Sequence, residues 1–243
     1  MGIIKTEKEI ILLKKSAQIA NSCIPLIEKS LAEKDITERE IARRIKEKIK
    51  KQDATLAFPT IVASGKRASK IHSKPTFTNR IISGLGYVDF GASYKGYKTD
   101  VTIPFIKGKI SKKQMKVVRI VLKSYEIAIN SIKIDVPCWM PHQKVANYMK
   151  RNGYKMLHPI GHGLGLRVHE LPYIGMPSKK KLSKKKKLKW EKLKKIKFEE
   201  SMIFTIEPAI YVKNSFGCRF ENDLLITKRG SMILTKSRLI KIQ

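Results

Sequence analysis

A chain of 243 residues, 42% apolar and 30% charged, is long enough to bury a sizeable core and too apolar to be disordered throughout. It has no uninterrupted apolar run of about 18 residues and no apolar block at its start, which argues against a membrane span or secretion. Cys23, Cys138 and Cys218 are scattered and odd in number, which excludes a disulfide framework, and the formal charge of +32, mostly lysine, points either to a lysine-rich proteome or to a polyanion contact such as RNA.

Thr6-Glu7-Lys8-Glu9 reads as a capping box opening an amphipathic helix to about Ser30, with Ile10, Leu13, Ala17, Ala20, Ile24 and Ile27 at helical spacing and a kink at Pro25. Thr37-Glu38-Arg39-Glu40 opens a second helix, ending near Lys51, whose Ile41, Ile45 and Ile49 share one face. Residues 57–65 turn apolar and β-branched, and a loop carries Ser73, Lys74 and Pro75. The run from Gly86 to Phe105 predicts a β-hairpin turning at Tyr94, Lys95 and Gly96. Ser111-Lys112-Lys113-Gln114 is a third box, opening a helix through about Lys133, and Pro141 suits the first turn of a helix that Gly153 stops.

A strand near residues 155–159 should lead into Gly161-His162-Gly163-Leu164-Gly165, and segments 202–212 and 216–227 predict a second hairpin about Lys213-Asn214-Ser215. Between them lies a lysine-rich insertion at about 177–199, with Lys179 to Lys181 and Lys184 to Lys187. It reads either as a solvated, mobile loop or as an arm facing RNA or the ribosome, with Trp190 and Phe198 available to stack on bases. Helix, helix, strand and hairpin occur twice, which predicts two similar halves sharing one site in a single domain spanning 1–243.

The chemistry is carried by acids on the hairpins. About a turn centred near residue 94.5, Asp89 and Asp100 are expected to fall across from one another, and about residue 214 Glu207 and Glu221 do the same. Facing like charges are destabilising unless a counter-charge lies between them. Apolar neighbours, in Tyr87-Val88-Asp89-Phe90 and Phe204-Thr205-Ile206-Glu207-Pro208, argue for burial rather than a solvated ion pair. Four carboxylates exceed what one divalent ion requires, so two ions are expected, with His162 between close-packing glycines as the nitrogen ligand. A mostly oxygen shell with one nitrogen suits Mn, Co, Fe or Zn.

The phrases Val88-Asp89-Phe90-Gly91, Thr99-Asp100-Val101-Thr102, Gly161-His162-Gly163-Leu164-Gly165, His169-Glu170, Thr205-Ile206-Glu207-Pro208 and Arg219-Phe220-Glu221 occur in one order. In them the chain resembles the pita-bread metallopeptidases: methionine aminopeptidases, Xaa-Pro aminopeptidases, prolidases and creatinase. The resemblance implies an α+β fold, with two pseudo-symmetric halves around a central antiparallel sheet and helices outside. It also implies that Asp89 chelates one metal, that Asp100 and Glu221 bridge both, and that His162 and Glu207 complete the second shell. Glu207 would handle the proton of the attacking water, and His72 and His169 would contact substrate and intermediate.

Within the family, the run from Phe58 to Gly65, His158 four residues before His162, and Arg219 two residues before Glu221 resemble the Xaa-Pro branch. His158 would then line the pocket after the scissile bond, and Arg219 would reach a carboxylate ligand. The branch usually has Arg-Thr at Ile103-Pro104, Gly at Ala209 and a second acid at Asn222, and it carries a separate N-terminal domain, whereas this chain starts at the catalytic part. A cytoplasmic aminopeptidase or dipeptidase of Xaa-Pro type is therefore expected, acting on a peptide or nascent-chain N-terminus. A methionine aminopeptidase dwelling near ribosomal RNA and a non-catalytic pita-bread RNA-binding protein are the alternatives. The sequence leaves the oligomeric state open.

Overall fold

The computed structural model describes residues 2–73, 80, 81, 83–176 and 183–243, so Lys74, Pro75 and Lys179 to Lys181 lie outside the described residues. Helix α1 (Glu7–Asn21) opens on the full Thr6/Glu9 capping box. The single helix expected to Ser30 is in fact two. Pro25 has no N–H and its ring would meet the Asn21 carbonyl, so the chain breaks at Ser22-Cys23 and restarts as α2 (Ile24–Ala32) with Pro25 in its first turn. The combined stretch Glu7–Ala32 is long and apolar enough to cross a membrane, yet Leu13, Ala17, Ile24, Ile27 and Leu31 are buried inside the fold.

In α3 (Glu38–Lys50) the Thr37 hydroxyl accepts from the Glu40 N–H, but the Glu40 carboxylate binds Arg43 and Arg44, so only half of the second box forms. Ile41, Ile45 and Ile49 are buried, as their spacing predicts. Then come β1 (Thr55–Leu56), β2 (Ile61–Ser64), a 3-10 turn, β3 (Gly84–Phe90), β4 (Ala92–Tyr94), β5 (Tyr97–Lys98) and β6 (Val101–Lys107).

The second half repeats the plan with α4 (Lys112–Asn130), capped by a complete Ser111/Gln114 box, and α5 (Met140–Arg151), with Pro141 in its first turn. No strand forms at 155–159. Gly153, at φ 84, turns the chain into a loop that reaches β7 (Gly161–Gly163) and then β8 (Glu170–Ile174). The end of that loop is satisfied bond by bond: Ile160 donates to the Ile174 carbonyl and accepts from the Glu207 N–H. The lysine-rich segment, expected as a loop, contains α6 (Lys184–Leu193), because lysine and leucine are good helix formers. Phe198 is not available for base stacking; it is buried in the core with its ring 5.1 Å from that of Phe204. The remaining strands are β9 (Ile203–Ile206), β10 (Ala209–Val212), β11 (Phe216–Arg219), β12 (Asn222–Thr227), β13 (Gly230–Ile233) and β14 (Ile240–Ile242).

Two sheets carry the halves: β14-β6-β3-β2, antiparallel except for β14 beside β6, and the antiparallel β13-β12-β9-β7-β8. Each has its own core. Ile27, Ile41 and Ile45 pack with Val88, Ile103 and Phe105 in the first, and Val121, Val145 and Met149 pack with Phe204 and Leu224 in the second. The sheets meet edge to edge, where the Glu221 N–H donates to the Thr102 carbonyl at 3.1 Å and the Asp100 N–H donates to the Asp223 carboxylate at 3.2 Å. That junction holds the acids.

Candidate metal centre

The first acid pair is offset by two residues from the facing arrangement expected. Asp89 lies across from Thr102, because Lys95 (φ 48) and Gly96 (φ 85) are the two central residues of a tight turn flanked by the Tyr94/Tyr97 pair. The hairpin is therefore centred one residue later than 94.5, and Asp100 sits diagonally from Asp89 on the same side. The second pair falls where expected. Ala209 pairs with Arg219 on one side and Ile206 with Asn222 on the other, so Glu207 and Glu221 face each other. At that point the ladder opens. Glu207 sends its N–H to Ile160 at 2.7 Å and Glu221 sends its own to Thr102, freeing both side chains for the cleft.

His162 reaches the same place because its glycine neighbours allow it. A Cβ on Gly161 would lie 2.0 Å from the Thr205 carbonyl oxygen, and one on Gly163 would lie 2.0 Å from that of Leu171, so only glycine lets β7 run this close to its neighbours. The His162 Nδ1 lies 3.2 Å from the Gly163 carbonyl and can meet it only by donating, which leaves Nε2 as a lone pair. That nitrogen is 3.7 Å from Asp100 Oδ2 and 3.6 Å from Glu207 Oε1. Burial, reinforced by the His169 imidazole, pushes the His162 pKa down to about 3, so the ring is neutral and its lone pair faces carboxyl oxygens.

Three further oxygens face the same problem. Among the described residues, Asp89 Oδ1, Asp100 Oδ1 and Glu221 Oε1 are buried with no hydrogen-bond partner. Ligand atoms of Asp100, His162 and Glu221 all lie within 4.8 Å of one another. Burial first, and then mutual repulsion with Glu221, Asp89 and Glu207, holds the Asp100 carboxyl well above the usual carboxylate range; Glu221 is raised in the same way. The carboxylates of Asp100 and Glu221, each with an orphaned oxygen, gathered with the His162 imidazole within 4.8 Å, are an arrangement that a divalent cation resolves, so these three residues fit such an ion.

Every candidate residue named from the sequence lines one cleft of about 1220 Å³: Asp89, Asp100, His162, Glu207 and Glu221 at its floor, and His72, His158, His169 and Arg219 around them. His169 stands at the floor's edge, its ring 4.3 Å from that of His162, and His72 is exposed on the wall. His158 donates from Nδ1 to the Pro159 carbonyl at 2.6 Å and receives the Tyr211 hydroxyl on Nε2 at 3.2 Å; burial pushes its pKa down to about 4.

Arg219 is buried and branches between partners. It binds Asp89 Oδ2, donates to the Tyr211 oxygen at 2.6 Å and to the Thr102 hydroxyl at 3.0 Å, and lies 4.4 Å over the Tyr87 ring. Burial opposes its charge, but Tyr211, Asp89 and Tyr87 outweigh that and keep it protonated.

Sequence reasoning missed Thr102, Tyr211 and Asp223. Tyr211 was within reach: in a strand pair read by alternation it falls on the face of Glu207 and Arg219. Asp223, two residues after Glu221, could have been found in the same way. Thr102 carried no comparable sign, because its role depends on β6 meeting the other sheet.

The family model for metallopeptidase family M24 matches residues 12–228. A Xaa-Pro dipeptidase of Pyrococcus horikoshii is 34% identical over 241 residues, covering 98% of this chain and 64% of that protein. A Xaa-Pro dipeptidase of Pyrococcus furiosus is 32% identical over a similar span. Among solved structures, the prolidase of Pyrococcus horikoshii superposes with a TM-score of 0.85 at 32% identity, over 98% of this chain and 64% of that one. The X-Pro aminopeptidase of Thermotoga maritima gives 0.86 at 29%, over 99% and 65%. The chain thus spans just under two thirds of the length of the relatives it matches, and its α+β architecture is the pita-bread fold of those structures. A family match over most of the chain, on a fold whose two sheets meet at a carboxylate and imidazole cage, establishes that this protein belongs to metallopeptidase family M24.

Proposed function

We propose that the chain is a cytoplasmic peptidase, with residues 1–243 as one catalytic unit, that uses two divalent ions drawn from Mn, Co, Fe or Zn. It removes the N-terminal residue from peptides with proline in second place, or splits Xaa-Pro dipeptides. The observation that carries this reading is the set of buried, donor-less carboxylate oxygens facing the neutral nitrogen of His162 at the floor of an open cleft. The names of the relatives support the Xaa-Pro preference, and three buried free thiols suit a reducing compartment.

In this reading Asp89, Asp100, His162, Glu207 and Glu221 would together hold the two ions. Bound divalent ions supply Lewis acidity, making water more acidic and a peptide carbonyl more electrophilic. Glu207 moves the proton. Half-buried in the cleft lining and 3.6 Å from His162 Nε2, its carboxylate is placed to take a proton from the attacking water and return it to the departing amine. His72 and His169 contact the substrate and stabilise the developing oxyanion. Arg219 fixes the Asp89 carboxylate, and through Tyr211 it fixes the His158 ring that walls the pocket after the scissile bond.

The test is a panel of Ala-Pro, Ala-Pro-Xaa and Met-Ala-Xaa peptides offered to protein stripped with chelator and reloaded with Mn or Co. Hydrolysis of the proline-containing peptides, dependent on added metal, is expected. Brisk cleavage of the Met-Ala series alone would replace this reading with a methionine aminopeptidase.

A further inference from the structure

We propose that the cleft selects peptides carrying acidic residues beyond the scissile bond, guided by a cationic ridge formed by Arg167 and Lys189 on its wall. The inference rests on the peptidase reading above. Of the acids lining the cleft, Asp89, Asp100, Glu207 and Glu221 are the metal ligands of that reading, and Glu170 is neutralised by Lys5 at 2.9 Å. Of the cations, Arg219 is committed to Asp89. Arg167 and Lys189 also line the cleft, and among the described residues neither has a carboxylate partner. The wall outside the cage is therefore positive without compensation.

Both groups are presented by ordered backbone. The Arg167 N–H donates to Glu170 Oε1 at 3.0 Å and its carbonyl accepts from the Gly165 N–H at 3.2 Å, so the turn is fixed while the side chain is exposed. Lys189 sits on α6 one turn before Leu193, which lines the cleft with it. Exposed Lys187 and Lys192 on the same helix add to the field, while its lone acid, Glu191, is taken by Lys194.

A peptide bound for cleavage at its N-terminus places its ammonium toward the inner acids and runs its remaining length outward through the cleft that Arg167 and Lys189 line. Positive charge there attracts carboxylates downstream and repels lysine or arginine, over roughly a Debye length of 8–10 Å. An RNA partner is less well matched. The cations line a concave wall, and with Phe198 in the core, only Trp190 of the insertion's two aromatics remains to stack on a base.

The experiment compares kcat/KM for three Ala-Pro peptides whose downstream residues are Glu, Ala or Lys, with metal-loaded wild type and the R167E/K189E double variant. In wild type the Glu peptide should exceed the Lys peptide about fivefold to tenfold in dilute buffer, falling below about twofold at about 0.5 M salt. In the double variant the order should invert. Because each comparison is a ratio within one protein, a general loss of activity in the variant does not disturb it. Equal turnover of all three peptides by wild type would overturn the ridge and leave the peptidase intact, whereas no turnover of any would remove both. Inhibition of the Ala peptide by a short RNA, without any gain for the Glu peptide, would reassign the ridge to nucleic acid and overturn the proposal.

Discussion

Glu221 and Thr102 hold each other twice: the Glu221 N–H donates to the Thr102 carbonyl at 3.1 Å, and the Thr102 hydroxyl donates to Glu221 Oε2 at 2.7 Å. The same hydroxyl accepts from Arg219 Nε at 3.0 Å, so one side chain orients a carboxylate of the cage and the guanidinium that braces another. Thr102→Val keeps the shape and deletes both bonds. It should weaken Mn or Co binding about 10–100-fold, measured by competition with a chromogenic chelator, and Thr102→Ser should restore most of the loss. Unchanged affinity in the valine variant would show that the hydroxyl does not orient the cage.

Glu207 differs from the other acids in being partly open to the cleft while the remaining carboxylates of the cage are buried. Glu207→Gln should lower kcat for a Xaa-Pro substrate by at least about 10²–10⁴-fold while leaving the fold unchanged by circular dichroism. A variant within tenfold of wild type would remove Glu207 from proton transfer.

The pH dependence of stability should differ between metal-free and metal-loaded protein. Burial, opposed by Arg219, places the folded pKa of Glu207 near 8 against an ordinary value of 4.5, and Asp100 and Glu221 move the same way. A group raised on folding binds protons more tightly in the native state, so the stability it confers is full below the unfolded pKa and is lost as pH rises through the folded one. Chelator-treated protein should therefore melt at a higher temperature at pH 5 than at pH 8. A divalent cation competes with those protons, so the gain in melting temperature on adding Mn should be larger at pH 8. A metal-free melting temperature that rises between pH 5 and 8 would contradict this account of the cage.

Gly163→Ala would drive a methyl group to 2.0 Å from the Leu171 carbonyl beside the proposed nitrogen ligand. A loss of about 1–3 kcal/mol in urea unfolding is expected, together with weaker metal binding, because β7 must shift and take His162 with it. Wild-type stability would mean that the strand has room the structure does not show.

Phe198→Ala should cost about 3–5 kcal/mol, since the ring is fully buried against Phe204, whereas Trp190→Ala on the half-exposed face of α6 should alter stability little. A reversed pattern in thermal melts would put Phe198 back on the surface.

How far the sequence disclosed this arrangement depended on whether a local rule governed each element. Capping boxes at Thr6 and Ser111 and the isoleucine spacing of α3 are local, and the helices began where predicted. The second hairpin was placed correctly because its turn is symmetric about Asn214. The first is centred one residue later than the Tyr94-Lys95-Gly96 block suggests, because a tight two-residue turn puts Gly96 at its second central position. Residues 155–159 have strand-like composition but find no partner ladder, since β8 and Glu207 bind only the end of that loop. The meeting of Asp100, His162 and Glu221 was legible from spacing and motif. Thr102 was not, because its importance arises where two sheets meet.

The proposed metal ligands are unequally divided: Asp89 and Asp100 come before the short connection at residues 108–111, and His162, Glu207 and Glu221 come after it. Neither portion of the chain, released from the other, carries the whole proposed ligand set. Metal affinity would then serve as a gauge of how firmly the two portions stay docked. A nick in that connection should leave binding intact only for as long as the fragments remain clasped.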